Sequence, residues 1–290
     1  MSSFRQRAKR ALQRSLERVA PHDVRAALRY VRATQSPAFP KKNIVVERDL
    51  GTDPVLLLAP HPDDEAIGAG GALLAHRAAG AAVHVAYMTD GGGIGIGRGE
   101  LSEIRRGEAR AAGERLGATQ TFWDHADTEL TNDPPTVAAM EKLLDEVSPK
   151  RIYVPSFFDT HFDHFATGQI LVDAVRQSGW SGTICGYEVW DAVPFPNYLV
   201  DVSPHAVARD EVLACYHTPH ETTDFTKLVR YRTSVHYTLF VNSHKDRADL
   251  GFAEAFLRFD AGTYCAMQQE YVVALKQARS PLVAPERLRL

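Results

Sequence analysis

The sequence predicts an α/β fold: a Rossmann-like, mostly parallel β-sheet flanked by helices on both faces, preceded by a helical N-terminal arm. Three observations carry this prediction. From residue 54 onward, short apolar runs alternate with segments of helical length, the mark of right-handed βαβ units. The 290 residues are 44% hydrophobic and 24% charged, an ordinary globule with ample material for a core. The charge is also split: residues 1–45 hold 11 Lys and Arg against Glu17 and Asp23, whereas the remainder holds 22 against 34 acids. A basic arm and linker over 1–45 thus precede an acidic body over 46–290.

Within the arm, Phe4, Ala8, Leu12, Leu16 and Val19 mark one face of a helix. Pro21-His22-Asp23 breaks it, Val24, Leu28 and Val31 begin a second stripe, and "QSPAFPKKN" reads as a linker. Such an arm either packs on its own body or on a second subunit, or lies on anionic lipid as a peripheral contact through residues 1–40. Nucleic acid is disfavoured because the acidic body would repel it.

In the body, "VLLLA" (55–59) is the first strand and Glu65 to Ala79 the helix after it. "AVHVAYMT" (82–89) is the next strand. Helices follow at 101–117 and 134–147, around a strand at "TQTFW" (119–123). "RIYVPS" (151–156), a helix from His164 to Ser178 and "TICGYEVW" (183–190) continue the series. From about residue 205 the pattern reads as helical, with "GFAEAFLRF" (251–259) the clearest case.

Cys185, Cys215 and Cys265 are too few and too scattered for a disulfide framework. No apolar run reaches the roughly 18–20 residues of a membrane span, and charges interrupt the N-terminus where a signal peptide needs an apolar core. The cytoplasm is the expected location, with membrane association tied to the arm.

Three strands end in chemistry: "VLLLA" in "PHPDDE", "AVHVAYMT" in "DGGG", and "RIYVPS" in "FFDTHFDH". Ligands of open α/β sheets bind outside the carboxyl ends of the strands. His61, Asp64 and His164 together make a two-histidine, one-carboxylate set that keeps coordination positions open, as catalytic zinc requires. A helix N-terminus would account for the acids through capping, but not for the histidines. The run "DGGGIGIGRGE" (90–100) fits no phosphate-binding motif and reads as a loop at the mouth of the site. Arg105 and Glu108, three residues apart on the next helix, amount alone to a weak surface ion pair, although at this edge Arg105 would reach a substrate.

"PHPDDE" (60–65), "TDGGG" (89–93), "RRGEARAAGERLG" (105–117), "FWDHADTEL" (122–130), "HFDH" (161–164), "YEVW" (187–190) and "FAEAF" (252–256) occur in this order. In this order the segments resemble the LmbE-like/PIG-L family of zinc-dependent N-deacetylases over about 54–260. The resemblance implies a Zn2+ centre, with Fe2+ the alternative ion, held by His61, Asp64 and His164. It also implies Asp63 as general base, His161 as the group that stabilises the oxyanion or protonates the amine, and Asp163 as an acid tuning a neighbouring histidine. Arg105 and Asp127 match positions that contact sugar hydroxyls. The reaction implied is hydrolysis of an N-acetyl group on an N-acetylglucosamine-type sugar or glycoconjugate, giving acetate and a free amine. Protonated His161 would share the oxyanion charge. The alternatives are a zinc-dependent amidase or esterase on a non-sugar substrate, or a sugar-binding protein without catalysis. Pro60 replaces a common Ala, "ADTEL" a common "PDGEL", and His217-Thr218 a common Ser-Gln. The catalytic set is intact, so these departures bear on which substrate is taken.

Overall fold

The computed structural model describes residues 44–93, 98–241 and 251–277, so the expected helices of the basic arm lie outside the described residues. The strands are β1 (Val45–Glu47), β2 (Val55–Ala59), β3 (Val83–Thr89), β4 (Thr119–His125), β5 (Arg151–Pro155), β6 (Thr183–Tyr187), β7 (Tyr198–Asp201) and β8 (Ala253–Asp260). Helices α1 (Asp64–Ala79), α2 (Arg98–Leu116), α3 (Pro134–Val147) and α4 (Phe162–Ser178) alternate with β2 to β6. Helices α5 (Ala206–Leu213), α6 (Phe225–His236) and α7 (Ala261–Gln277) follow β7, with a single helical turn at His217–His220.

All eight strands form one sheet in the order β1-β7-β8-β6-β5-β2-β3-β4. Every pairing is parallel except the two made by β8. Side chains alternate between two cores. Val55, Leu57 and Ala59 pack with α1 and α2, whereas Leu56 and Leu58 pack with α3 and α4. Burial on both faces explains why β2 reads as an unbroken apolar run.

The expected helix at "GFAEAFLRF" is corrected: this segment is strand β8, antiparallel between β6 and β7. Its residues 253–257 are buried without alternation, so the period of two that marks a half-exposed strand is erased. Glu254 is among these buried residues. Its two carboxylate oxygens accept the N–H groups of Gly71 and Ala72, each at 2.8 Å. Those donors are free because α1 breaks at Ala69, and a second helical segment starts there with unsatisfied amides. The expected strand at 183–190 also stops early, at Tyr187.

The order of strands positions the site. The chain runs outward from β2 to β3 and β4, then crosses to β5 and β6 on the other side of β2. The loops leaving β2 and β5 therefore diverge at a topological switch point and open a crevice. Among the described residues, no helix is long and apolar enough to cross a membrane.

Candidate active site

The loop after β2 carries Pro60 to Asp63, and α1 begins at Asp64. Asp63 precedes the helix at φ 122°, a backbone conformation that non-glycine residues rarely adopt. Its side chain makes no capping hydrogen bond. The expectation that an acid of "PDDE" merely caps the helix therefore fails for Asp63. After β5, His161 sits just before α4, and its Nδ1 accepts the backbone N–H of Asp163 at 3.3 Å.

His61 Nδ1, Asp64 Oδ2 and His164 Nε2 converge across the crevice. The separations are 3.2 Å from His61 to Asp64, 3.2 Å from His164 to Asp64, and 3.3 Å between the two rings. Ligands at ~2.0–2.1 Å from a tetrahedral ion stand about 3.3 Å apart, so this donor set fits a small divalent metal. The far nitrogen of each ring faces a carboxylate. His61 Nε2 lies 3.0 Å from Asp163 Oδ2 and 3.2 Å from Asp127 Oδ1, and His164 Nδ1 lies 3.2 Å from Asp159 Oδ1. Such outer carboxylates orient metal-binding imidazoles and raise their basicity. Burial opposes protonation of both rings, yet Asp127, Asp163 and Asp64 hold His61 well above its usual range. Asp64 and Asp159 likewise raise His164 to about 9. Charge of this sign and depth calls for a cation among the acids.

Two further acids, Asp163 and Asp127, belong to this arrangement. Asp163 engages His61, from the other half of the sheet, and its carboxylate also accepts the N–H groups of Thr128 (2.7 Å) and Leu130 (3.2 Å). Asp127, expected at sugar hydroxyls, reaches His61 and accepts the N–H of Gly93 at 3.0 Å. Burial works to raise its carboxyl, but the contact with His61 brings it down to about 2.

Arg105 holds Asp63. Its Nη2 donates to Asp63 Oδ2 at 2.8 Å and to Pro62 O at 2.5 Å, and Nη1 donates to Gly91 O at 3.2 Å. Gly91 has φ 61°, and a Cβ there would stand 2.8 Å from Pro62, so only glycine lets the β3 loop close on the β2 loop. Burial pushes the Asp63 carboxyl up to about 7, with Arg105 pulling the other way and Asp64 adding to the rise. Asp63 Oδ1 makes no hydrogen bond among the described residues. Glu108, expected as a surface partner of Arg105, is buried instead. It accepts the N–H groups of His217 and Thr218 at 2.9 Å each and the Thr218 hydroxyl at 2.7 Å.

His61, Asp63, Asp64, Arg105 and Asp127 line a cleft of about 320 Å³, together with Trp190, Thr218 and Phe225. The volume suits a small organic molecule. His161 also lines it, its ring centroid 4.7 Å from that of His61 and 4.9 Å from that of His164. Burial, then the neighbouring His61 and His164, lower the His161 pKa. With Nδ1 accepting a backbone N–H, this arrangement fits a neutral ring carrying its proton on Nε2, not the imidazolium expected from sequence. Sequence reasoning missed Asp159, although "FFDTHFDH" contained it. It also missed Glu65, whose buried carboxylate accepts the Tyr216 hydroxyl.

Residues 56–175 match the family described as PIG-L: GlcNAc-PI de-N-acetylase, so this segment is a PIG-L/LmbE family domain. A diacetylchitobiose deacetylase of Thermococcus kodakarensis is 31% identical over 51% of this chain and 63% of its own length. A 4-oxalmesaconate hydratase of Pseudomonas putida is 32% identical over 38% of this chain and 46% of its own length. The match thus spans less than two thirds of either curated relative. The solved N,N'-diacetylchitobiose deacetylase of Pyrococcus horikoshii superposes with a TM-score of 0.60 at 23% identity. It covers 73% of this chain and 85% of that one, and it shows the shared α/β fold.

Proposed function

We propose that the protein is a metal-dependent N-deacetylase acting on an N-acetylglucosamine-type sugar. The observation that carries this reading is the triangle of His61 Nδ1, Asp64 Oδ2 and His164 Nε2, with Asp63 beside it in the cleft. The family match and the deacetylase relative support the same reading. These three side chains would hold the ion. Zn2+ is the ion this donor set favours and Fe2+ one that it accepts. When bound, the ion supplies polarisation of an amide carbonyl and a more acidic water.

The chain's own residues supply the proton transfers. Asp63, with its carboxyl near neutrality, takes a proton from the attacking water as the water oxygen bonds to the acetyl carbon. His161 Nε2–H donates to the carbonyl oxygen as that oxygen gains charge. When the C–N bond breaks, the proton held by Asp63 passes to the departing nitrogen. The products are acetic acid, which ionises to acetate, and the free amine. Asp163, Asp127 and Asp159 keep the imidazoles oriented, and Arg105 keeps Asp63 in place.

Incubation of Zn2+-loaded protein with a panel of N-acetylglucosaminides, assayed for primary amine, tests the proposal. Amine release that stops on chelation and returns with metal is the expected result. The hydratase relative supports a second reading, addition of water to the double bond of an unsaturated carboxylate. Loss of enoate absorbance with no amine released from any sugar would favour it.

A further inference from the structure

Hydrolysis makes no use of the outer wall of the cleft. Trp190 lies there with 58% of its surface exposed, and its ring centroid is 6.0 Å from that of Phe225, edge to face at 72°. What separates Trp190 from the other exposed apolar side chains is that it lines the cleft, where an amphipathic ring meets a ligand.

The loop carrying this indole is braced from both sides. The backbone N–H of Trp190 donates to Asp159 Oδ2 at 3.1 Å, while Oδ1 of the same carboxylate accepts the backbone N–H of His161 at 3.0 Å and faces His164 Nδ1 at 3.2 Å. One carboxylate therefore ties the Trp190 backbone to the segment that carries His161 and His164. Buried Glu188 accepts the Val193 N–H at 2.7 Å and lies 2.9 Å from His236 Nε2, and Arg232 Nη1 donates to Val189 O at 2.9 Å. Asp191 Oδ2 accepts both the N–H and the hydroxyl of Thr160, at 2.8 and 2.6 Å. An exposed side chain on so rigid a support is preorganised for a ligand.

The chemistry of the wall selects the ligand. A pyranose presents C–H faces that stack on aromatic rings and a rim of hydroxyls that need polar partners. Trp190, resting on buried Phe225, suits the faces, and the Thr218 and Thr222 hydroxyls, whose protons go to Glu108 and to Pro219 O, keep lone pairs that accept from the rim. Among the described residues lining the cleft, Arg105 is the one guanidinium or ammonium group, and it is committed to Asp63, Pro62 and Gly91. The described wall thus offers no free guanidinium or ammonium group to a phosphate.

We propose that Trp190, backed by Phe225, is the stacking platform for a second, neutral pyranose joined to the N-acetylated sugar. The preferred substrate is then a neutral oligosaccharide rather than a monosaccharide or a nucleotide-linked sugar. This inference rests on the deacetylase reading, so its test includes a measurement without turnover. Steady-state kinetics on N,N'-diacetylchitobiose, N-acetylglucosamine and UDP-N-acetylglucosamine would be measured beside tryptophan fluorescence titrations with the same sugars. Trp190→Ala should lower the ratio of disaccharide to monosaccharide kcat/KM about tenfold, chiefly through the disaccharide KM, and Trp190→Phe should restore most of it. The disaccharide should perturb wild-type fluorescence, with most of that signal lost in Trp190→Phe. An unchanged ratio in Trp190→Ala, or tighter binding of the UDP-sugar than of the disaccharide, would overturn the proposal. Fluorescence binding through Trp190 without amine release would leave the platform standing and remove the deacetylase reading instead.

Discussion

Arg105 and Asp63 are joined at 2.8 Å, and the same guanidinium nitrogen also binds the carbonyl oxygen of Pro62, the residue just before Asp63. One side chain thus fixes both the carboxylate and the backbone that carries it at φ 122°. The resemblance placed Arg105 at sugar hydroxyls; its bonds to Asp63 and Pro62 suit a residue that positions the proposed base. The two roles separate kinetically. Arg105→Ala should lower kcat by roughly 10–100-fold, the scale of a lost charge-assisted hydrogen bond of about 1.5–3 kcal/mol. Arg105→Lys should recover only part of it, because an ammonium cannot reproduce the fork. A raised KM with kcat intact would return Arg105 to the substrate.

Adjacent acids should part company on mutation. Asp64→Asn should lose bound metal and activity together, because its Oδ2 is one corner of the donor triangle. Asp63→Asn should keep metal near one per chain and lose turnover by a factor on the order of 10²–10⁴, the range for a general base. Elemental analysis alongside amine assays reads both. Metal retained in Asp64→Asn and lost in Asp63→Asn would reverse the two roles.

Legibility in the sequence followed locality. The βαβ series and the motifs at the ends of β2 and β5 were readable, since each rests on neighbours in sequence. His61 and His164 could be paired because two adjacent strand ends each carried a histidine. What was missed depends on contacts far apart. The Asp163 partner is 102 residues away, and the Glu108 partners are 109 and 110 away. Strands β1 and β7, of three and four residues, are too short to show a period. Strand β8 was misread because burial of residues 253–257, Glu254 among them, erases the period of two. Nothing local reveals that the Glu254 carboxylate meets the broken turn of α1.

That contact should be costly to remove. Glu254→Ala leaves two buried N–H groups, of Gly71 and Ala72, without acceptors and opens a void. A loss of about 2–4 kcal/mol is expected, which lowers Tm by roughly 5–15 °C for a domain of this size. Thermal melts monitored by circular dichroism would show it. A Tm within about 2 °C of wild type would mean that water or a shifted turn satisfies those amides.

Stability should also carry a signature of His76, on the last turn of α1. Its side chain is buried, with Nε2 2.9 Å from the Tyr153 hydroxyl on β5. Burial pushes its pKa down to about 3, and nearby Arg151 adds to the effect. In the unfolded chain the ring titrates near its ordinary ~6.5. Between these values the unfolded chain binds a proton that the native protein refuses. The contribution of a neutral His76 is therefore complete above about pH 6.5 and shrinks as pH falls, by about 1.4 kcal/mol per unit, until it is gone near pH 3. Urea unfolding of wild type and His76→Gln at several pH values isolates the effect, because glutamine still reaches the hydroxyl but does not titrate. From pH 6.5 to 4.5 the wild type should lose about 2–3 kcal/mol more than the variant. Parallel pH profiles would show that His76 takes up its proton in the native protein without penalty, and the acid limb would then belong to the carboxylates around His61.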